Sequence, residues 1–344
     1  MNIKLIGIDL AKNVFQLCAV NRAGKVLFNR SVKRARLHEI MAQLEPTRVA
    51  MEACSGAHYW GRTFEQLGHR VTLIPPQHVK PFVRSGKSDA HDALAICEAA
   101  GRPNLHPVPI KSIAQQDLQT LHRLRQHHVD QSTALANQIR SVGREYGLIF
   151  PKGIRSLMTQ LPQALEDGGN SLSMVARGAL YDHYLQLRAS REATAKWKRE
   201  IIQLANQLPA YHDLQVVPGF GPVNTSAYLA AIGDGSQFKC GRQVSAWLGL
   251  TPSQYGTGGK LTLLGITKQG DRYARNMLIH GARAAICRHR RNCPPLATWV
   301  DPIIARRGFN KAVVALANKL ARIGWVIVRT GAEFDLQQAF KPAR

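Results

Sequence analysis

The chain has 344 residues, 45% of them hydrophobic, and carries 46 lysines and arginines against 22 acids, a formal charge of +24. That length gives room for two or three domains with sizeable cores, and that charge argues against an ordinary metabolic enzyme and for a partner as densely negative as DNA or RNA. No apolar run reaches the roughly 18–20 residues of a membrane span, and Asp9 and Lys12 interrupt the only stretch resembling a leader, so a cytoplasmic protein without a membrane partner is expected.

From the N-terminus, "IKLIGIDL" reads as a strand, and "VFQLCAVN" and "KVLFNRSV" flank the turn "NRAGK" as a hairpin. Residues 34–45 have helical spacing. "RVAMEA" reads as a strand, "AHYWGRTFEQLG" as a helix stopped by Gly68, and "RVTLIPP" as a strand ended by Pro75 and Pro76. The helix "SDAHDALAICEAAG" takes Ser88 or Asp89 as its cap and ends at Gly101. Three antiparallel strands followed by alternating helices and parallel strands is the order of the ribonuclease H-like fold, so residues 1–111 are expected to form an α/β domain of that kind.

Residues 112–210 shift to Gln-, Leu-, Ala- and Arg-rich stretches. "QQDLQTLHRLRQHHVDQSTALANQIRSVGREYG" and "YDHYLQLRASREATAKWKREIIQLANQL" are both helical in period, separated by a looser segment around "EDGGNS". They are expected to pair as an antiparallel, coiled-coil-like arm, which is either a spacer or an element that dimerises or grips RNA. Residues 211–344 are expected to be mostly helical. From residue 260 onward there are 16 lysines and arginines against 4 acids, and "ARNMLIHGARAAICRHRR" and "NKAVVALANKLARIGWVIVRTG" read as helices with basic faces. The six cysteines form no CxxC pair, and Cys287, His289 and Cys293 in "CRHRRNC" read as part of a basic face rather than a zinc site.

Eight acids occur in residues 1–100, and two of them, Asp9 and Glu52, interrupt apolar strand runs. Even a neutral polar group left unpaired in a core costs on the order of 2–7 kcal/mol, so both need a purpose. In the expected strand order their strands are neighbours, which lets them approach. Asp89 and Asp92, three residues apart at a helix start, share one face, whereas His91 points elsewhere. Four converging carboxylates raise one another's pKa unless cations share them. Mg²⁺ ions, with Mn²⁺ as a substitute, meet that need: hard cations take oxygen ligands, and a pair roughly 3.5–4 Å apart can activate a nucleophile and stabilise a leaving oxygen in phosphoryl transfer. Alone, "DAHD" is a capped helix with surface acids; with Asp9 and Glu52 it reads as a metal site.

Further on, "VPGFGP", with Gly219 and Gly221 before a helix, resembles a helix-hairpin-helix turn, in which glycines let backbone N–H groups approach a phosphate. In "LGLTPSQYGTGGKLTLLGITKQGDRYARNMLIHGARAA" a Gly-rich loop around Thr257 lies between two apolar segments. Lys260, Lys268, Arg272 and Arg275 are candidate phosphate contacts. A hydroxyl among such cations can attack a phosphodiester; it can equally belong to a phosphate-binding turn.

Taken together, "GIDLAKN", "AMEACSGAHYW", "KPFVRSGKSDAHDALAICEAA", "VPGFGPVNTSAYLAAIGDG", "WLGLTPSQYGTGGK" and "LGITKQGDRYARNMLIHGARAA" resemble the DEDD transposase family of bacterial insertion sequences, which includes Piv-type DNA invertases and bridge-RNA-guided recombinases. The resemblance runs in order along nearly the whole chain. It implies a RuvC-resembling, ribonuclease H-like domain with Asp9, Glu52, Asp89 and Asp92 as Mg²⁺ ligands, then a helical arm and a C-terminal transposase domain. It also implies dimers and tetramers assembled on a structured noncoding guide RNA that pairs with donor and target DNA, and a serine nucleophile acting with the acids of another subunit. This chain departs from the pattern, because "YGTGG" puts Thr257 where serine is expected. Thr257 is taken as the nucleophile; Thr251, Ser253 or Thr262 serving instead, or an impaired copy, are the other readings.

Three rivals remain. An actin-like or sugar-kinase ATPase would need a second phosphate loop and an adenosine-binding glycine motif. A non-catalytic nucleic-acid-binding protein leaves Asp9 and Glu52 unexplained. A metal-dependent nuclease or Holliday-junction resolvase shares the acids and differs from a recombinase at Thr257.

Overall fold

A computed structural model describes residues 2–83, 88–103 and 105–341. Its first five strands are β1 (Leu5–Asp9), β2 (Val14–Val20), β3 (Val26–Lys33), β4 (Arg48–Glu52) and β5 (Arg70–Ile74), joined in one sheet in the order β3-β2-β1-β4-β5. β1, β2 and β3 pair antiparallel; β4 runs parallel to β1, and β5 parallel to β4. The alternation of side chains along a strand gives the sheet two apolar faces. Ile6 and Ile8 of β1 pack with Phe15, Val49 and Met51 beneath α1 (Arg34–Ala42) and α2 (Ala57–Gln66). Leu5, Ala50 and Ile74 face the other way, towards α3 (Pro76–Val79) and α4 (Asp89–Ala100).

Two local details differ from the sequence reading. Pro76 does more than end a strand: it starts α3 at a position where its missing N–H costs nothing. Ser88 occupies the cap position of α4 with extended backbone, but its side chain makes no capping bond, and the first turn carries Asp89 and Asp92 against the positive end of the helix instead.

The second part begins with α5 (Ile113–Glu145), α6 (Ile154–Glu166) and α7 (Met174–Ala205). α5 and α7, each about 50 Å long, run antiparallel: Leu135 and Ile139 pack with Leu180 and Leu187 at one end, and Leu118 shares a cluster with Ile201 and Ala205 at the other. α6 falls where the sequence suggested no helix; it buries Leu157 and Leu161 against the arm and tolerates Pro162 in its interior. Then follow α8 (Tyr211–Gln215), α9 (Pro222–Ile232), α10 (Gly241–Trp247), β6 (Pro252–Thr257), β7 (Lys260–Ile266), α11 (Arg272–Arg288), α12 (Pro294–Arg307), α13 (Phe309–Thr330) and α14 (Leu336–Ala339). α13 is the central element, with Val313, Leu316, Ala317, Leu320 and Ala321 all buried, and Tyr228 of α9 donates its hydroxyl hydrogen to the Ala321 carbonyl at 2.6 Å.

The chain packs as two compact units, Met1–Ser112 and Ile113–Arg344. The expected boundary at 210/211 falls inside the second, where the root of the arm and the C-terminal helices contribute to one core. No helix among the described residues is long and apolar enough to cross a membrane, and the six cysteines are free.

Candidate active site

β1 and β4 are in register from Leu5 opposite Arg48 to Ile8 opposite Met51, so Asp9 and Glu52 finish neighbouring parallel strands at the same edge of the sheet. The buried run of β1 ends at Asp9, which is half-buried, as is Glu52. α4 then brings its first turn to that edge. A carboxylate oxygen from each of Asp9, Asp89 and Asp92 lies within 4.8 Å of the others. Glu52 stands outside that tight group, yet its charge is felt there. The Asp9 carboxyl is pushed up to about 6, first by burial and then by Asp92, Asp89 and Glu52, against a small opposing effect of the Leu10 N–H. Glu52 is raised as well, by burial and by Asp92, and Cys54 is raised by burial and by the charges of Glu52 and Asp9. Acids this crowded gain from a shared cation.

In the second unit, the Gly-rich segment around Thr257 is a β-hairpin rather than a loop. β6 and β7 pair antiparallel with Thr257 opposite Lys260, and Gly258 and Gly259, both at positive φ (57° and 78°), form the two-residue turn that suits hairpin twist. Thr257 and Lys260 are exposed at its tip. The base is held firmly: the N–H of Lys268 donates to the Gly249 carbonyl, and Lys268 itself takes a positive φ of 56°, which costs a side-chain-bearing residue roughly 1–2 kcal/mol. Gly270 packs so closely on the Trp247 carbonyl that no Cβ fits.

The remaining nominated residues divide. Lys268 and Arg272 are exposed. Arg275 is only 6% exposed and donates to the carbonyls of Leu248 (3.0 Å) and Gln269 (2.7 Å), so it braces the hairpin base instead of presenting a cation at the surface. Gly219, at φ 104°, abuts Gly281 of α11 and Leu320 of α13, a packing reason for glycine that does not involve phosphate. Gly221 is exposed at the start of α9, with open space around it.

Comparison with known proteins bears on both units. Residues 6–147 match the IS110 DEDD transposases, and residues 211–296 match a family described as transposase IS116/IS110/IS902. A probable family 20 transposase of Pseudomonas aeruginosa is 42% identical over 335 residues, covering 95% of this chain and 97% of the relative. The transposase for insertion sequence element IS1111A of Coxiella burnetii is 41% identical (95% and 90%), and that for IS1328 of Yersinia enterocolitica 38% (97% and 99%). The chain belongs to the IS110/IS116 transposase family.

Beside the acids of this transposase lies a set of polar side chains that motif reading passed over. Gln16 is the register partner of Asp9 across β1 and β2. Ser31 donates to the Gln16 side-chain oxygen at 2.7 Å, Gln16 donates to the Asn29 side chain at 2.6 Å, and Asn29 donates to the Ala90 carbonyl at 2.8 Å. This polar chain links β2 and β3 and ends on the α4 turn that carries Asp89 and Asp92, tying that turn to the sheet. Its signal in the sequence was the polar Gln16 inside the apolar run "VFQLCAV".

Gly7 sets the approach of α4. A Cβ there would lie 2.5 Å from the Ala93 carbonyl oxygen and 2.6 Å from the Cys97 sulfur. Gly7→Ala is therefore expected to push α4 off β1, at about 1–3 kcal/mol of stability. Strand cleavage should fall about 100-fold, the scale of a 1 Å misplacement, while all four acids remain. Thermal melting and a single-turnover cleavage assay of the same preparation check the two effects.

Proposed function

We propose that this transposase cuts and rejoins DNA at an insertion-sequence boundary, using divalent ions, Mg²⁺ in the cell, held by Asp9, Glu52, Asp89 and Asp92, with Thr257 as the attacking hydroxyl. The observation that carries the reading is the convergence of the Asp9, Asp89 and Asp92 oxygens within 4.8 Å at the end of the sheet. Its donor set, all carboxylate, with Asp9 and Asp92 half-buried and Asp89 exposed, fits a hard cation that keeps positions open for phosphate. Bound there, such ions supply charge neutralisation at the scissile phosphate.

The chain's own residues do the rest. The Thr257 oxygen gives up its proton to water and bonds to phosphorus, while the bond from phosphorus to one deoxyribose oxygen breaks and that oxygen takes up a proton as a free hydroxyl, leaving a protein–DNA ester that the hydroxyl of a second DNA end can reverse. Lys260, Lys268 and Arg272, exposed on or beside the hairpin, offer positive charge to the phosphates. In the fuller reading the sheet domain is RuvC-like, the turn at Gly219 and Gly221 is of the helix-hairpin-helix type, and residues 112–210 serve as the arm of a dimer or tetramer. A structured noncoding RNA guides that assembly to donor and target DNA. The charge of +24 supports a nucleic-acid partner.

The test is to incubate the protein with element-end DNA and Mg²⁺, quench in detergent, and look for DNA attached to protein. A covalent species that requires both the metal and the nucleic acid co-purifying with the protein is expected. Clean cleavage with free DNA ends and no attached protein would replace the recombinase reading by a metal-dependent nuclease or junction resolvase.

A further inference from the structure

The parallel strands β1, β4 and β5 all start at one edge of the sheet and finish at the other. The acids occupy the finishing edge. At the starting edge lies a cleft of about 510 Å³ lined by Asn2, Lys4, Arg22, Thr47, Arg48 and Arg70, with no aspartate or glutamate in its wall. Five strand residues at about 3.3 Å each place it roughly 15 Å from the acids, beyond the Debye length of about 8 Å at physiological salt. The two ends of the sheet are thus separate electrostatic sites of opposite sign.

The arrangement of the cations is costly in isolation. Arg48 and Arg70 are register partners across β4 and β5, so they emerge side by side on one face about 5 Å apart, and like charges placed opposite each other destabilise a sheet. Arg48 has one local role, donating to the Ala100 carbonyl at the end of α4 at 3.4 Å. Lys4, Arg22 and Arg70 are exposed, and among the described residues no carboxylate lies within ion-pair distance of any of the four. Four cations converging on a cleft without an acid call for an external anion. Arginine forks bind phosphate oxygens two at a time, and the Asn2 amide adds a neutral donor.

We propose that this cleft is a second nucleic-acid site, holding the phosphodiester backbone of a DNA or RNA segment away from the reacting acids. The inference rests on the transposase reading only for the class of partner. Its test is to label arginines with phenylglyoxal in the full-length protein, alone, saturated with duplex DNA, and saturated with a structured RNA, and to read Arg22 and Arg70 by peptide mass spectrometry. Their labelling should fall severalfold with one of the two nucleic acids, and the arm in which it falls identifies the source of the phosphates. In parallel, the triple variant Lys4→Gln, Arg22→Gln, Arg70→Gln leaves Arg48 and its carbonyl contact in place. It should lower the slope of log affinity against log salt for that nucleic acid by about 2–3, at somewhat under one per lost contact, with an unchanged circular dichroism spectrum. Equal labelling of Arg22 and Arg70 in all three samples, with an unchanged salt slope, overturns the proposal while leaving the catalytic reading standing. A protein that binds neither nucleic acid overturns both.

Discussion

Asp9→Asn is expected to slow DNA strand cleavage by roughly 10²–10³-fold or more, the scale of losing one electrostatic stabiliser of a reacting group, while raising the melting temperature of the metal-free protein near pH 7. The two effects have one cause. The folded chain pushes the Asp9 carboxyl from 3.8 up to about 6, through burial first and then through Asp92, Asp89 and Glu52. The folded state therefore holds this proton more tightly than the unfolded chain does. The sign follows by linkage: without metal, the stability associated with this group is greatest below about pH 4, declines as pH rises towards 6, and stays at the lower level above it. Asparagine keeps the shape and removes the charge that causes the decline. Discounted for partial exposure of the group, the gain is about 1 kcal/mol, or about 4 °C for a unit of this size.

Adding Mg²⁺ should then separate the two proteins. At pH 7 the wild type is expected to gain thermal stability as the ion offsets the repulsion, and Asp9→Asn to gain much less. Below about pH 6 the response of the wild type should weaken, because protons compete for the same oxygens. A metal response of the same size in both proteins would remove Asp9 from the ligand set, and cleavage by Asp9→Asn at the wild-type rate would sink the acidic-site reading altogether.

The sheet was legible because its strands are short, apolar and punctuated. Polar residues at the ends of "LIGID" and "RVAME" stand out, and glycines and prolines mark the turns. The acids were legible for the same reason, as charges where an alternating pattern has no place for them. What the pattern could not convey was distance. Glu52 finishes the correct strand but lies outside the tight group of Asp9, Asp89 and Asp92, a matter of side-chain reach and of how closely α4 settles over Gly7. α6 was missed because it lies in the segment read as loose around "EDGGNS", while its stabilisation comes from burying Leu157 and Leu161 on the arm. Arg275 looked like one more phosphate-binding cation because composition counts charges without regard to where they go. Its guanidinium is consumed by carbonyls of the chain, a role that depends on the loop at Gln269 returning to Leu248. The hairpin at Thr257 carried a recognisable signal, the pair Gly258-Gly259 before the apolar run "KLTLLGI", outweighed by the expectation of a flexible loop.

The proposed transfer of DNA and the rival reading of mere cutting part at Thr257. Thr257→Ala is expected to abolish the protein–DNA ester, with a rate loss on the order of 10⁴-fold or more, as for removal of a nucleophile elsewhere, and to leave DNA binding unchanged. Thr257→Ser is expected to retain the ester and to form it at least as fast, because the β-methyl of threonine restricts χ1 and crowds an in-line approach. The hairpin tip can accept either side chain: Thr257 is exposed beside a two-glycine turn, so neither change disturbs a core. The nearby hydroxyls are placed differently. Ser253 donates to the Gly265 carbonyl at 2.9 Å within the hairpin, and Thr262 lies opposite Tyr255, further from the turn. Proteolysis of the trapped complex and mass spectrometry of the DNA-bearing peptide separate the cases. An adduct on Thr257 in the wild type, and on the introduced serine in the Thr257→Ser variant, is the expected result. An adduct that persists in Thr257→Ala, carried by Thr251, Ser253 or Thr262, would move the nucleophile to that residue. No adduct in any of the three proteins, with cleavage intact, would mean that the acids act on water, and the chemistry of this chain would end at hydrolysis.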